Sequence, residues 1–412
     1  MKPLKIFVSA GEASGDMHGA PLIEELMRQR PGLDVTFLGG DLMARAAGKA
    51  PLIHYRDMAF MAFSEVIRHA GKIFSNLRVA KEALREGRPD ALILIDYPGF
   101  NFKLMKYAHS LGIPVYYYIS PKVWAWKEWR VKDMARYCRK VLSILPFEVD
   151  YFSGKGVEVE YVGNPSLEEV DRKESQLPPR ELFLEKWHLS ADKPLLALVP
   201  GSRRGEIRNN LPVMAEVASR FPQLQPVIAA APSMEPTVYA DTLAALEERL
   251  RKEGREEDVR NIPLVTDATF ELIRNSCAAL VTSGTATLET ALLGTPQVVC
   301  YRANGSSLSY AIMRKLIKVD YVSLPNLIVA PKITGAPAPV GGGYVQEGGM
   351  VAEMLLHRCT PDLVAARLEK ILPGQPGRDE QLRGYGRLRT RLGAMTAAST
   401  AAASILSSLG AR

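Results

Sequence analysis

The chain lacks several features that would announce a function directly. Its 412 residues include four cysteines, Cys138, Cys277, Cys300 and Cys359, far apart and without CxxC spacing. That excludes a disulfide framework and a zinc site of the ribbon type. Six histidines are equally scattered and no HExxH occurs, so no metal site is expected. No apolar run approaches the roughly 18 residues that a membrane span needs. The apolar part of Met1–Ser9 is too short for a signal peptide and runs straight into a glycine-rich loop, which predicts a first strand and a cytoplasmic chain. Neither GxGxxG nor GxxxxGK[ST] is present, so a dinucleotide fingerprint and a P-loop are both unsupported. The net charge of +7 comes with no nucleic-acid-binding signature. It suits anionic small molecules or an acidic membrane surface, and nucleic acid is not expected as a partner.

What is present is a strand–helix alternation of 47% apolar and 24% charged residues, long enough for two or three domains. Short apolar runs of the buried parallel type recur at Ile6–Ala10, Val35–Gly40, Ala91–Ile95, Val115–Pro121, Val141–Glu148 and Val159–Pro165. They predict a doubly wound domain over residues 1–165. A charged stretch containing Pro178-Pro179 reads as a linker with a short helix, and the alternation restarts at Leu195. Strands follow at Pro226–Ala230, Ala278–Val281 and Gln297–Tyr301, with an exposed, charged helix over 237–253. Residues 330–349, rich in Gly and Pro, read as a loop, and Met350–Leu356 reads as a helix. The second domain is expected over 166–379. A helical segment over 380–412 ends in an alanine- and serine-rich helix with a small-residue packing face.

Four stretches carry chemistry. At the midpoint, the apolar run Leu195–Val199 opens into Pro200-Gly201-Ser202-Arg203-Arg204-Gly205-Glu206 and a helical pattern. This places small residues and two guanidinium groups at a helix start, where unpaired N–H groups and the helix dipole favour phosphate. The bland alternative is a turn with solvated arginines. Later, Ala278–Val281 opens into Thr282-Ser283-Gly284-Thr285-Ala286-Thr287-Leu288-Glu289, again with N–H groups and hydroxyls at a helix start. Glu289, one to two turns in, could accept both hydroxyls of a ribose; otherwise it is a first-turn acid favoured by the dipole. Two phosphate-type loops in one domain make nucleotide binding the better reading.

In the first half, Gly11-Glu12-Ala13-Ser14-Gly15-Asp16 follows the first strand, and Asp96-Tyr97-Pro98-Gly99-Phe100-Asn101 follows Ala91–Ile95. Acidic groups past the carboxyl ends of parallel strands lie where open α/β sheets bind ligands. For Asp16 the alternative is a helix cap. Met58, Phe60, Met61 and Phe63, ahead of recurrent Lys and Arg, suit a surface dipping into lipid headgroups, or else an amphipathic helix packed on the core. Trp124, Trp126 and Trp129, interleaved with Lys122, Lys127 and Arg130, suit either core or an interface for sugars, acyl chains or membrane.

In order along nearly the whole chain, the Gly11–Asp16 loop, Asp96–Asn101, Ser120-Pro121-Lys122-Val123-Trp124-Ala125-Trp126, Gly163-Asn164-Pro165, Pro200–Arg203, Ser283–Glu289 and Pro325-Asn326-Leu327-Ile328 resemble the lipid A disaccharide synthases, inverting glycosyltransferases of the GT-B type. The first and third of these stretches are specific; the Ser283–Glu289 type is shared with other UDP-sugar enzymes. The resemblance implies an α/β fold of two Rossmann-like, doubly wound parallel-sheet domains facing a cleft, with the last helix crossing back to the first domain. It implies a UDP-2,3-diacylglucosamine donor and a 2,3-diacylglucosamine 1-phosphate acceptor, joined β(1→6) with release of UDP. It also implies peripheral attachment to the inner membrane face and, with no DxD pair in sight, no metal or other cofactor. Gly201, Ser202, Arg203, Glu206, Ser283, Gly284, Thr285, Ala286, Thr287 and Glu289 would then hold the nucleotide sugar, joined by Asn326. Asp96, or failing it Glu12, would be the base. Ser14, Asp16, Met58, Phe60, Met61, Phe63, Trp124, Trp126 and Arg130 would meet acceptor and membrane. The chain departs from the family pattern after Ile328, where about twenty Gly- and Pro-rich residues intervene before Ala352-Glu353-Met354-Leu355, which leaves Glu353 without an assigned role. The competing readings are another GT-B UDP-sugar enzyme, an epimerase or a soluble-acceptor transferase, and a non-catalytic nucleotide-sugar or lipid-binding protein.

Overall fold

A computed structural model describes residues 3–58, 70–255, 259, 261–302, 321–329 and 349–410. The chain divides into two compact units, Met1–Pro165 with Gly393–Arg412, and Ser166–Leu392.

The first unit holds a seven-stranded sheet of β1 (Lys5–Ala10), β2 (Asp34–Gly39), β3 (Ile53–His54), β4 (Ala91–Ile95), β5 (Val115–Tyr118), β6 (Lys140–Ser143) and β7 (Val159–Tyr161), in the order β3-β2-β1-β4-β5-β6-β7. Every pairing is parallel. Such strands are covered on both faces, which is why β4 reads Ala-Leu-Ile-Leu-Ile and is buried throughout. The strand order reverses between β1 and β4, and in open α/β sheets ligands bind in the crevice outside the carboxyl ends at that reversal. The loop beginning at Gly11 leaves β1 there, and Asp96 leaves β4 beside it.

The second unit repeats the plan with β8 (Leu195–Val199), β9 (Gln225–Ala230), β10 (Leu264–Thr266), β11 (Ser276–Thr282), β12 (Gln297–Tyr301) and β13 (Ala352–Leu355), in the order β10-β9-β8-β11-β12-β13. All neighbours are again parallel. Its reversal falls between β8 and β11, from which the two phosphate-type loops emerge. The doubly wound expectation holds in both units.

Three local expectations need correction. Met350–Leu356 is not a helix: Ala352–Leu355 pairs parallel with Val298–Tyr301 as an edge strand. Ala, Glu, Met and Leu are all good helix formers, but over four residues the sheet overrides propensity. The stretch read as a linker with one short helix forms two, Pro165–Glu174 and Arg180–Lys186. The helix Pro376–Leu392 belongs to the second unit, so the return to the first begins at Gly393 rather than at 380.

The last helix, Ala397–Gly410, buries Ala397, Ala398, Ala401, Ala402 and Ile405, a small-residue face packed on the first unit's core. Gln29 Nε2 donates to Ser399 O at 3.0 Å, and Tyr116 Oη to Ser408 Oγ at 2.9 Å, which fixes that helix against the helix Ala13–Gln29 and β5. The loop reading of 330–349 and the basic helix expected before Val322 lie outside the described residues, Gly349 excepted.

Candidate active site

In the first unit the crevice is built around a strained turn. Asp96 (φ 40°) and Tyr97 (φ 48°) both adopt left-handed backbone, as does Ile119 (φ 59°) at the end of neighbouring β5. Each such residue costs on the order of 1–3 kcal/mol and persists only where its surroundings enforce it. The enforcement is visible. The Asp96 carbonyl accepts from Asn101 Nδ2 at 2.8 Å and from Tyr117 Oη at 2.7 Å, and Asp96 N donates to Ile119 O at 3.1 Å. Asn101, fully buried, also accepts from Ser9 Oγ at 2.7 Å and so ties the ends of β1 and β4 together. Tyr97 donates to Met58 O at 2.6 Å, and its ring lies so close over Gly11 that any Cβ there would overlap it.

Its backbone locked on all sides, Asp96 stands just past the carboxyl end of β4. Poor solvation there pushes its pKa from 3.8 up to about 6; the nearby Glu12 carboxylate adds to the rise, and Lys122 opposes it. Glu12 is the N-cap residue of the helix Ala13–Gln29, yet its side chain makes no capping bond. The first unit therefore pairs a carboxylate that titrates at about 6 with a second acid, an arrangement suited to proton abstraction near neutral pH.

In the second unit a pocket of about 630 Å³ opens between the two loops. Gly201, Ser202, Glu206, Ser283, Gly284, Thr285, Ala286 and Glu289 line it, as do Phe270 and Lys173. Gly201 has φ 116°, and a side chain there would meet Glu206 Oε2 at 2.6 Å, so only glycine fits this turn. Glu206 folds back to accept from Ser202 N at 3.1 Å and lies 3.5 Å from the Arg203 guanidinium. The helix Thr285–Leu292 begins at Gly284 with no side-chain cap, and its first residues, Thr285 and Ala286, line the pocket, as an anion-binding helix start would. Thr282 is 4% exposed, lines the same pocket, and its Oγ1 has no partner among the described residues. Burial pushes Glu289 up to about 7, aided by Glu169 and opposed by Lys173. Lys173 itself bonds Glu169 at 2.7 Å and lies 4.4 Å over the Phe270 ring.

The family model described as Lipid-A-disaccharide synthetase matches residues 6–338, a span holding both crevices. The chain belongs to this family. It is 38% identical over 405 residues to the lipid-A-disaccharide synthase of Myxococcus xanthus, covering 98% of this chain and 97% of the relative. It is 34% identical over 411 residues to that of Koribacter versatilis, covering 98% of each. Among solved structures, the UDP-GlcNAc 2-epimerase of Neisseria meningitidis bound to UDP-GlcNAc superposes with TM-score 0.60 at 13% identity, over 99% of this chain and 100% of that one. A UDP-N-acetylglucosamine 2-epimerase from Listeria monocytogenes, described as putative, gives 0.58 at 12%, over 99% and 96%. Those likenesses establish the shared GT-B-type fold. As a lipid A disaccharide synthase family member, the chain is a glycosyltransferase of lipid A biosynthesis.

Several residues expected at the ligand in this synthase-family chain are engaged within the fold. The Asp16 carboxylate, 3% exposed, accepts from the backbone N–H groups of Gly40, Leu42 and Met43 at 2.7–3.1 Å. It caps the helix Asp41–Ala47, a neighbour's helix rather than its own, and is spent on the fold. Trp124 is 4% exposed, donates its indole N–H to the buried Glu148 at 2.9 Å and packs edge-on to Phe147, so it is core and not interface. Glu148 also accepts from Ser120 and Ser143, and burial pushes it up to about 7. Met58 is core as well. Thr287 is buried, its hydroxyl donating to Gly284 O. Ser14 is exposed on the first turn beside Glu12, and the Arg130 guanidinium lies 4.9 Å over Phe102 and 5.4 Å over Trp129. Phe60, Met61 and Phe63 lie outside the described residues, as does the Trp126 side chain. Asn326 is buried and fully engaged with Val351 and Glu353, away from the pocket lining. Sequence reasoning missed Tyr117 and Glu148, whose partners are distant in sequence. Asn101 stands in the Asp96–Asn101 stretch, but its lock on Asp96 shows only in the fold.

Proposed function

We propose that the chain transfers 2,3-diacylglucosamine from its UDP derivative to the 6-hydroxyl of 2,3-diacylglucosamine 1-phosphate, forming the β(1→6) disaccharide 1-phosphate and UDP. The observation that carries this reading is Asp96: a carboxylate at the sheet reversal, on strained and fully anchored backbone, with its pKa raised toward neutrality. In this mechanism Asp96 takes the hydroxyl proton as the acceptor oxygen attacks C1, and the C1–O bond to the diphosphate breaks on the opposite face, inverting the configuration. UDP leaves with two negative charges on its terminal phosphate oxygens. The N–H groups at Thr285–Ala286, the Ser202 and Ser283 hydroxyls and the Arg203 guanidinium would receive that charge. Glu289 would accept from the ribose hydroxyls. Glu12, besides raising Asp96, would help to orient the acceptor.

Attachment to the inner face of the cytoplasmic membrane fits this substrate pair, since both sugars carry acyl chains. Phe74 and Trp129, 62% and 64% exposed, sit beside Lys103 at 5.2 Å and Arg130 at 5.4 Å, an apolar and cationic combination suited to anionic headgroups.

The test is UDP release from the diacylated donor, with and without the acceptor, for wild type and Asp96→Ala. Release that requires acceptor and falls by about two orders of magnitude or more in the variant supports the reading. Acceptor-independent release, or interconversion of UDP-GlcNAc at C2, would replace it with hydrolysis or epimerisation.

A further inference from the structure

Glu353 lies on edge strand β13, 6% exposed, and is not among the residues that line the candidate donor pocket. Its Oε1 accepts from Ser323 N at 3.0 Å, Ser323 Oγ at 2.5 Å and Asn326 Nδ2 at 2.8 Å, and its Oε2 accepts from Val322 N at 3.0 Å. Both carboxylate oxygens are thus engaged, Oε1 by three donors and Oε2 by one. All four come from the short segment 322–326. Asn326 is fastened a second time, donating to Val351 O and accepting from Val351 N, each at 2.9 Å. An apolar residue at 353 would cover the sheet edge at less desolvation cost, but would strand four buried donors.

The same segment touches one residue of the candidate donor pocket. The carbonyl of Val322, whose N–H is held by Glu353, accepts from Ser283 Oγ at 3.4 Å. Ser283 lines the pocket and immediately precedes Gly284, where the helix Thr285–Leu292 begins. A bond of that length is lost with a shift of a few tenths of an ångström. Val322 therefore couples a buried carboxylate on the sheet edge to a pocket hydroxyl.

We propose that Glu353 is a positioning residue for the nucleotide pocket: by fixing Val322 and Ser323 it sets where the Ser283 hydroxyl and the turn into the helix Thr285–Leu292 stand. This rests on the reading of that pocket as the UDP site. Glu353 touches no ligand and acts through Ser283.

The test is calorimetric UDP binding to the full chain for wild type, Glu353→Gln, Ser283→Ala, the double variant and Ser323→Ala. Glutamine keeps the size but turns an N–H₂ toward donors, so Glu353→Gln is expected to weaken UDP about tenfold. Because both changes act through one bond, the double variant should bind no more weakly than the weaker-binding of the two single variants. If Glu353→Gln does not fold, Ser323→Ala removes a single donor and should still weaken UDP about threefold. Tyr385→Phe, which removes a buried hydroxyl from the Gln297–Gln381 network of the same unit, should lower Tm without moving the UDP Kd. A folded Glu353→Gln with wild-type UDP affinity, effects that multiply in the double variant, or an equal loss of affinity in Tyr385→Phe would each overturn the proposal. A wild-type chain that does not bind UDP would overturn the pocket reading itself, before any variant is made.

Discussion

The pKa of Asp96 gives the sharpest consequence of the first crevice. An aspartate at its ordinary value of 3.8 would be almost fully ionised at pH 5, whereas one at about 6 is roughly a tenth ionised there and nine-tenths ionised at pH 7. If Asp96 is the base, kcat/KM should rise about tenfold from pH 5 to pH 7 and level off above that. Glu12 is the charge that adds to the rise, so Glu12→Gln should move the acid limb to lower pH. The same shift fixes the sign of the stability effect. A carboxyl whose folded-state pKa is raised contributes stability that is complete below about 4 and lost as pH climbs through about 6. Asp96→Asn, which removes the poorly solvated charge, should therefore raise Tm relative to wild type at pH 8 while activity falls by about 10²–10⁴. The assay is initial-rate UDP release between pH 5 and 8.5, with thermal melts at the same pH values. A limb near pH 4, or one that Glu12→Gln leaves in place, would refute the assignment.

Other residues yield further expectations. Gly11→Ala drives a methyl group into the Tyr97 ring and should cost about 1–3 kcal/mol by thermal melt, with a disproportionate loss of kcat because the Asp96–Tyr97 turn moves with it. Asn101→Ala leaves the Asp96 carbonyl and the Ser9 hydroxyl short of a buried partner and should cost about 2–4 kcal/mol in urea unfolding. Glu289 should make UDP binding tighten as pH rises through about 7, where its carboxylate ionises, and Glu289→Gln should flatten that dependence in calorimetry. Trp124→Phe should lower stability by about 1–3 kcal/mol, since it leaves Glu148 short of a donor, and should leave sedimentation with anionic vesicles unchanged. Trp129→Ala should weaken that sedimentation.

Much of this was legible in the sequence because buried parallel strands announce themselves. Ala91–Ile95 and Leu195–Val199 are unbroken apolar runs that stop at turn residues, and the first residues after them fall at the sheet reversal. That alone pointed to Asp96 and to the Gly201 loop. What stayed hidden depends on partners far along the chain. Trp124 could be core or interface until Glu148, 24 residues on, is placed against its indole N–H. Asp16 reads as a cap for its own helix, yet caps one that begins 25 residues later. Ala352–Leu355 has helical composition and becomes a strand only because β12 lies open beside it. Glu353 and Asn326 follow from that change: once the strand is in place, the carboxylate and the amide meet, and Asn326 turns inward.

The proposed transfer stands or falls on its product. Wild-type chain incubated with UDP-2,3-diacylglucosamine and 2,3-diacylglucosamine 1-phosphate should yield one β-linked disaccharide 1-phosphate for each UDP released, identified by mass spectrometry and by the anomeric proton coupling in NMR. Free diacylglucosamine, an α linkage, or UDP release that does not depend on the acceptor would contradict it.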